Sequence, residues 1–260
     1  MADDAVLVVL TKAVVGRDDD MDDWYTNIHM RDALRFRGSF AAQRFRLSPR
    51  QPSPPPTGFD WQYLAFYDVF DPERFSREHW DNALTTRMMV SDAIDDSVLN
   101  DYHYYPLQSR NNDPEASHDQ SIVVLEQLRP AEGQERAFES WYNDTYLPQL
   151  MRRPGVATGS LLVFRSFGQM IPSRPDQSHV GIYRVSEDAL SEWNDGSALR
   201  QSPLVDQSAL LVTAWNPITP RITEDAVQHP TATSLAEEER ARLRMGDRVR
   251  TGGREKLGPG

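Results

Sequence analysis

Residues 23–38 read DWYTNIHMRDALRFRG, and residues 140–155, SWYNDTYLPQLMRRPG, are a second copy of the same stretch. The copies align without a gap, because Trp24 matches Trp141 at an offset of 141 − 24 = 117, and the glycine that ends each copy has the same offset. A constant offset along a whole stretch indicates an internal repeat, which constrains the fold more strongly than a single motif does.

The repeat extends over a complete folding unit in each half of the chain. Short apolar runs predict buried strands, and the stretch around each Trp-Tyr pair has apolar residues at helical spacing and ends at a glycine. The predicted strands are 6–10, 40–47, 63–69 and 102–106 in the first half, and 123–125, 160–167, 179–185 and 212–217 in the second. Second helices are predicted at 72–83 and 187–193. The order β-α-β-β-α-β in each half predicts an α+β protein of two tandem ferredoxin-like repeats.

The repeat also divides the chain into segments. We expect the first ferredoxin-like repeat at residues 1–110, a linker rich in Asn, Asp and Ser at 111–120, and the second repeat at 121–222. Residues 223–260 are polar and end in a Gly-rich stretch, so we expect a largely disordered tail. Within that tail, residues 235–245 carry Glu and Arg at helical spacing, which favours one amphipathic helix that docks on the body or on a partner.

Composition and charge exclude several classes of function. The formal net charge of −11 disfavours nucleic acid as a partner, because a polyanion would be repelled. The chain has no Cys, which rules out disulfides, thiolate nucleophiles and Cys metal sites. The apolar run near the N-terminus is short and lacks a basic start, so we expect neither a signal peptide nor a membrane span, and a cytoplasmic location.

The first Trp-Tyr helix carries the strongest candidate for catalysis. Tyr25, His29, Asp32 and Phe36 recur along one helical stripe, at i, i+4, i+7 and i+11. Imidazole titrates near neutral pH and needs a partner that fixes its tautomer, and Asp32 is within reach of His29 at i+3. The alternative is a surface histidine beside a solvated aspartate. We expect His29, Tyr25 and Asp32 to be catalytic; the second copy has Tyr146 in place of the histidine.

Aromatic side chains predict an apolar pocket with a few polar groups. The residues expected to bind substrate are Trp24, Phe36, Trp80, His103 and Tyr105, although each of the aromatics is also a reasonable core residue. His103 and Tyr105 alternate on a predicted strand and therefore share one face. The sequence has no metal-binding, dinucleotide-binding, phosphate-loop or Ser-hydrolase motif, so we expect neither a metal nor a cofactor. His29, His79 and His103 could still converge in space.

The repeated motif resembles the signature of EthD-like proteins in the dimeric α+β barrel superfamily. The resemblance rests on Trp24-Tyr25 followed by His29 and Gly38, and on Trp141-Tyr142 followed by Pro154-Gly155-Val156. It covers residues 5–222 as two copies. The first copy departs from the motif by having Arg37-Gly38-Ser39 in place of Pro-Gly-Val, and the second by having Tyr146 in place of His.

The resemblance implies both an architecture and a class of function. Two ferredoxin-like chains form the barrel in that superfamily, so a tandem chain is expected to close the barrel internally, leaving an edge or the tail for association into a homo-oligomer. The implied function is a cofactor-free acid/base lyase or isomerase acting on an aromatic or polyketide-like small molecule. His29 would remove a proton, Tyr25 or a nearby Tyr or Arg would hold the oxyanion, and water or a small carbon fragment would be eliminated. The alternatives are a cofactor-independent monooxygenase, a haem enzyme with His79 or His103 as ligand, and a non-catalytic binding or assembly protein.

Overall fold

Two β-α-β-β-α-β units follow one another in the computed structural model, which describes residues 4–53, 58–113, 121–191, 193 and 197–246. The strands are β1 (Ala5–Thr11), β2 (Ser39–Leu47), β3 (Tyr63–Val69), β4 (Asn100–Asn111), β5 (Ile122–Leu128), β6 (Val156–Phe164), β7 (His179–Val185), β8 (Leu211–Pro217) and β9 (Ile222–Thr223). The helices are α1 (Asp18–Trp24), α2 (Met30–Leu34), α3 (Pro72–Asn82), α4 (Glu135–Trp141), α5 (Leu147–Met151), α6 (Glu187–Ser191), α7 (Ser197–Gln201), α8 (Glu224–Gln228) and α9 (Ala232–Met245). π-helical turns at Tyr25–His29 and Tyr142–Tyr146 join α1 to α2 and α4 to α5.

The two units form one closed antiparallel barrel, as the sequence predicts. The strand order is β3-β1-β4-β6-β7-β5-β8-β2, and β2 also pairs with β3, which closes the ring. The units meet where β4 pairs with β6 and where β8 pairs with β2. Since β4 and β8 are equivalent, as are β6 and β2, the barrel has an approximate twofold axis along its length. The short strand β9 adds to β2 beside β8.

Alternation along the strands divides the apolar residues among three cores. Val8 and Leu10 point into the barrel, whereas Leu7 and Val9 point toward the helices of the first unit. The barrel interior is filled from both units by Val8, Leu10, Phe45, Leu64, Phe66, Tyr102, Tyr104, Val123, Leu125, Leu162, Val180 and Trp215. The other two cores lie between sheet and helices, one in each unit. The aromatic side chains of Phe66, Tyr102 and Tyr104 therefore lie inside the barrel.

The glycine that ends each copy of the repeat is required by its backbone and its surroundings. Gly38 has φ +113°, a left-handed conformation that side chains disfavour. A Cβ at this position would lie 2.5 Å from the carbonyl oxygen of Asp71. Gly155 is also left-handed, and a Cβ there would collide with Ser186. In each unit this glycine therefore allows the start of the second strand to lie against the start of the helix that follows the third strand.

Strand β4 is longer than the sequence predicts. We expected Pro106 to end it, but β4 continues to Asn111. The ladder with β6 changes register between Pro106 and Gln108, which accommodates a residue that has no N–H to donate. The continuation provides much of the seam between the two units.

The C-terminal segment is ordered helix where the structure describes it. The expectation of a largely disordered tail is wrong for α8 and α9, and residues 247–260 lie outside the described residues. Arg35 binds the carboxylate of Glu238 through both terminal nitrogens, at 2.8 and 2.7 Å, and Arg242 bridges Glu238 and Asp32. These ion pairs attach α9 to α2, although α9 itself is rich in polar residues and therefore gives a weak sequence signal for packing.

We expect Arg242→Gln to lower the free energy of unfolding by roughly 1–3 kcal/mol, because the buried Asp32 carboxylate would lose a charged hydrogen-bond donor. Urea denaturation monitored by circular dichroism measures this change. Arg240→Gln on the same helix is the matched control, since Arg240 is exposed and bonds only to a carbonyl of its own helix in the described structure. Equal midpoints for the two variants would contradict the role given to Arg242.

Candidate functional site

The π-helical turn at Tyr25–His29 brings three rings together at the start of the site. The His29 ring lies 4.8 Å from the Tyr25 ring and 4.7 Å from the Trp24 ring, measured between centroids. A π turn has one residue more than an α turn and is often found at functional sites. Here it holds His29 on the buried side of the helix, where 8% of the residue is exposed.

These rings form one wall of a cavity between the sheet and helices of the first unit. Its volume is about 80 Å³. The cavity is mainly apolar, and it is lined by Leu7, Val9, Thr11, Trp24, Tyr25, His29, Tyr67, Phe75, His79, Trp80, Ala83, Met88, Val90, Ile94, Asp96, Leu99 and Asp101. An engineered cavity that binds benzene has roughly 150 Å³. A ligand with an aromatic ring must therefore displace part of the wall.

The irregular segment that follows α3 forms another part of the wall. Leu84 has φ +62°, the one left-handed residue other than glycine among the described residues. Such a conformation is uncommon and stores strain in a bulky residue. Two indole N–H groups fix the surroundings: Trp24 donates to the carbonyl of Met89 and Trp80 to that of Met170, both at 2.8 Å.

Two buried histidines face each other across the cavity. The rings of His29 and His79 are 5.7 Å apart. Burial lowers the pKa of His29 well below its usual range, helped by the neighbouring His79 and Arg44, and lowers the pKa of His79 to about 4. Nδ1 of each ring has no hydrogen-bond partner among the described residues. Both imidazoles are therefore neutral near pH 7, and each offers an unused nitrogen.

Tyr25 stays protonated and lies over a buried positive charge. Burial raises the pKa of Tyr25 to about 12. The guanidinium carbon of Arg44 lies 4.5 Å from the centroid of the Tyr25 ring, and this arginine is held by Asp22 and by the hydroxyl of Thr26, at 2.7 Å. The Tyr67 hydroxyl donates a hydrogen bond to the Tyr25 hydroxyl, at 3.4 Å. Tyr25 can thus donate its own proton to an oxyanion in the cavity.

Asp101 is a buried carboxyl group in the lining of the cavity. It lies on β4, opposite Val9, and burial raises its pKa to about 7. Its Oδ1 has no hydrogen-bond partner in the described part of the chain. At neutral pH a large share of Asp101 carries a proton, so the group can act as an acid. Sequence reasoning missed it because the predicted strand began at residue 102, although Asp101 alternates with His103 and Tyr105 on the same face.

The other predicted site residues are only partly brought together. Trp24 and Trp80 line the cavity, whereas Phe36 lies behind His79, 6.3 Å from its ring. His103 is buried against Phe75, and burial lowers its pKa to about 3. Tyr105 lies farther along β4, and its hydroxyl donates a hydrogen bond to the carbonyl oxygen of Phe167. Tyr67 and Asp101 were not among the sequence-based candidates. His79 was named only as a histidine that could converge with His29 and as a possible haem ligand, and it does lie beside His29 in the cavity lining.

Asp32 does not orient His29, contrary to the prediction from i, i+3 spacing. Its carboxylate accepts hydrogen bonds from Arg35, at 3.0 Å, and from Arg242 of α9. Two guanidinium groups hold it on the face of α2 that the tail covers. Ion pairs, rather than the i, i+3 spacing from His29, therefore determine the position of the Asp32 carboxylate. Asp32 stabilises the attachment of the tail.

The equivalent space in the second unit is filled by a polar cluster. Tyr146 takes the place of His29, and Glu126 takes the place of Val9, each at an offset of 117. Glu126 accepts hydrogen bonds from Tyr142 at 2.6 Å and Tyr146 at 2.7 Å, and the Tyr142 and Tyr183 hydroxyls are 2.5 Å apart. The rings of Tyr142 and Tyr146 also pack together, with centroids 4.9 Å apart. The second unit thus keeps the scaffold but has a hydrogen-bonded cluster of Glu126 and tyrosines at the positions equivalent to Val9 and His29.

No protein-family model matches the sequence, and no curated protein matches it. Solved structures do resemble it. An anthrone oxidase-like protein matches with TM-score 0.58 and 10% identity, covering 86% of this chain and 94% of that one. A putative monooxygenase from Fusobacterium nucleatum matches with TM-score 0.53 and 8% identity, covering 85% and 97%. A putative monooxygenase from Lactobacillus acidophilus matches with TM-score 0.50 and 8% identity, covering 85% and 98%.

These comparisons establish the fold. The chain has the dimeric α+β barrel fold, with both halves of the barrel in one polypeptide. At such low identity the matches do not single out EthD-like proteins, so that finer assignment stays a prediction from the motif. Among the described residues, no helix is long and apolar enough to cross a membrane.

We expect Glu126→Gln to make stability less dependent on pH. Burial raises the pKa of Glu126 from about 4.5 to about 7. Between these values the folded protein holds a proton that the unfolded chain has released, so this contribution is complete below about 4.5 and is lost as pH rises through about 7. Urea denaturation at a series of pH values measures the slope. The exposed Glu132→Gln is the control, and an unchanged slope in Glu126→Gln would contradict a raised pKa.

Proposed function

We propose that the first unit is a cofactor-independent enzyme that removes a proton from a flat hydroxyaromatic molecule and lets the resulting carbanion react with dioxygen. The observation that carries the proposal is one apolar cavity in which a neutral His29, a protonated Tyr25 and the acid Asp101 all meet. These three groups can accept a proton, hold an oxyanion and return a proton.

His29 is the base in the first step. Its imidazole is neutral over the physiological range, and Nδ1 has no protein partner in the described structure. A low pKa makes it a weak base, so the substrate must itself have an acidified C–H, such as a methylene that is conjugated with a carbonyl group through an aromatic ring, as in an anthrone. Tyr25, above the Arg44 guanidinium, donates a hydrogen bond to the enolate oxygen that forms when this proton leaves.

Oxygen then reacts with the carbanion without a metal or flavin. The carbanion gives electrons to dioxygen, a C–O bond forms, and the peroxide receives a proton from the Asp101 carboxyl group. Loss of water leaves a carbonyl, so that the methylene group and one molecule of dioxygen together give a carbonyl group and one molecule of water. The buried, mainly apolar cavity limits access of water to the carbanion, which would otherwise be protonated again.

The similarity to other barrels supports oxygen as the electron acceptor. Proteins described as anthrone oxidase-like and as putative monooxygenases share the fold over most of this chain. Fold similarity alone does not establish an activity. The support therefore comes from the agreement between those descriptions and a cavity that provides base, oxyanion donor and acid.

Elimination of water is the second candidate, and Asp101 is the observation that favours it. A carboxyl group with a pKa of about 7 can protonate a leaving hydroxyl after His29 has removed the proton. This route gives a lyase or, without a leaving group, an isomerase. Dioxygen consumption with turnover identifies the oxygenase, and turnover without it identifies the lyase or isomerase. Saturable binding without turnover would identify a binding protein instead.

We expect His29→Gln to lower turnover by roughly 10²- to 10⁴-fold, since it removes the group that transfers the proton while keeping similar volume. An oxygen electrode and a panel of anthrones and hydroxynaphthalenes provide the assay. His229→Gln changes an exposed histidine in the same way and serves as the control. Near-wild-type turnover by a folded His29→Gln protein would make His79 the next candidate base.

The pH profile tests Asp101 separately. We expect turnover to fall as pH rises through about 7, because the acid form of Asp101 is lost there. We expect no rising limb near the ordinary histidine pKa, because the pKa of His29, the base, lies well below it. Asp101→Asn should reduce turnover and remove the fall at high pH. A fall that persists in Asp101→Asn would assign it to another group.

A further inference from the structure

His79 lies in the wall of the first unit's cavity, opposite His29, and aromatic rings enclose it. Its ring centroid is 5.7 Å from that of His29, 5.9 Å from that of Phe75 and 5.8 Å from that of Trp80. The Phe36 ring lies behind it, at 6.3 Å. The indole N–H of Trp80 already donates to a backbone carbonyl, and phenylalanine rings have no conventional donor or acceptor. Apart from His29, these neighbouring rings therefore offer no hydrogen bond to the His79 nitrogens.

The His79 side chain has a buried polar atom that is not hydrogen-bonded. Nδ1 has no hydrogen-bond partner among the described residues, and burial lowers the pKa of the ring to about 4. A buried nitrogen without a partner costs stability, whereas a phenylalanine ring would fill a similar space without that cost. Such groups are found where function requires them. A contact with a ligand therefore explains His79 better than packing does.

Two other residues of the same cavity also have an unpartnered polar atom. Nδ1 of His29 and Oδ1 of Asp101 lack a hydrogen-bond partner in the described part of the chain, and both residues line the cavity together with His79. The proposed reaction uses His29 as the base and Asp101 as the acid, which leaves the His79 imidazole without a role. Since the rings of His29 and His79 face each other, a ligand that reaches one also reaches the other.

A hydroxyl group is the ligand group that suits the His79 imidazole best. A neutral imidazole has one nitrogen that donates a hydrogen bond and one that accepts, and the role of Nδ1 depends on the tautomer. A hydroxyl can donate or accept, so it satisfies Nδ1 in either tautomer, whereas a carbonyl oxygen only accepts. A carboxylate or an ammonium group would bring a charge into a mainly apolar cavity, at a high cost in solvation. The cavity therefore favours a ligand whose polar group is a neutral hydroxyl.

We propose that His79 binds a ring hydroxyl of the substrate and makes the enzyme specific for hydroxylated aromatic molecules. This role of His79 rests on the proposed function, in which His29 is the base. The two rings are 5.7 Å apart, so a hydroxyl bound at His79 holds the substrate ring beside His29 and brings its acidified C–H toward the base. His79 thus determines which ring is accepted, and His29 removes the proton.

Phenol and fluorobenzene test this role, because they have nearly the same shape and only phenol has a hydroxyl group. Nuclear magnetic resonance of the six histidine rings in the full chain gives a dissociation constant for each probe and shows which ring it contacts. We expect the unmodified protein to bind phenol roughly 10- to 100-fold more tightly than fluorobenzene, since a buried polar group gains its partner. We also expect the His79 ring signals to shift with phenol.

Two variants of His79 separate hydrogen bonding from packing. His79→Phe should remove most of the preference for phenol, because it keeps a planar ring and loses both nitrogens. His79→Gln can still form a hydrogen bond and should keep part of the preference. His229→Phe changes an exposed histidine in the same way and is the matched control. Melting temperatures establish that each variant is folded, and should His79→Phe not fold, the ring signals of the unmodified protein decide the matter.

Several results would overturn the role given to His79. Absence of phenol binding at about 10 mM would do so, as would equal binding of phenol and fluorobenzene. A preference for phenol that persists in His79→Phe would assign the hydroxyl to another residue. Phenol binding that leaves the His79 ring signals unchanged would show that Nδ1 has only water as its partner.

The binding measurement needs no turnover, so it separates this role from the proposed reaction. Absence of turnover of every anthrone, together with a phenol preference that depends on His79, would contradict the reaction and support the hydroxyl site. Where anthrones are turned over, we expect the ratio of kcat/KM for hydroxylated and unsubstituted anthrone to fall roughly 10- to 100-fold in His79→Phe. An unchanged ratio would contradict the hydroxyl site and leave His29 as the base.

Discussion

Pairing of strands across the two units is the constraint on which the rest of the structure depends. A single ferredoxin-like sheet leaves both β2 and β4 as unpaired edges, and unpaired edges invite association with other chains. Here one seam joins β4 to β6 through seven registered pairs, whereas the other joins β2 to β8 through three. Strand β9 covers a further part of β2. Because β8 pairs with only part of β2, β9 of the C-terminal segment can pair with another part of it and bring that segment onto the first unit. The surroundings of the two units therefore differ.

The two units also accommodate a buried carboxyl group in different ways. In the first unit Asp101 lies opposite Val9, and in the second Glu126 lies opposite Val212, so the acid has moved to the neighbouring strand. Three tyrosines surround Glu126, and two of them donate hydrogen bonds to it, which offsets much of the cost of burial. Asp101 has an oxygen without a partner in the described structure and faces a cavity. An unsatisfied buried acid lowers stability, and such groups are found where function requires them.

The repeat made the fold predictable, because offsets of 117 and 116 related the first strand, the Trp-Tyr helix and the third strand of the two units, and apolar runs placed the remaining strands before any contact was known. The site was less predictable. Alternation on β4 would have included Asp101 had the predicted strand begun one residue earlier, so that signal was present. The role of Asp32 could not be read from helical spacing, because its partner Arg242 lies 210 residues away. The π-helical turn that buries His29 also has no local sequence signal apart from its recurrence in both copies.

The cavity between the sheet and helices of the first unit is small because hydrogen bonds hold two of its wall residues in place. Trp24 and Trp80 each form part of the cavity, and each also donates its indole N–H to a carbonyl that holds a neighbouring segment in place. Breaking one such hydrogen bond costs about 0.5–1.5 kcal/mol net, which is small compared with the energy gained by burying an aromatic ring, at about 25 cal/mol per Å². Met89, whose carbonyl accepts from Trp24, also contacts Arg242 through its sulfur at 3.2 Å. The tail helix therefore rests on a segment of the cavity wall, and the same arginine contacts the tail, Asp32 and that wall.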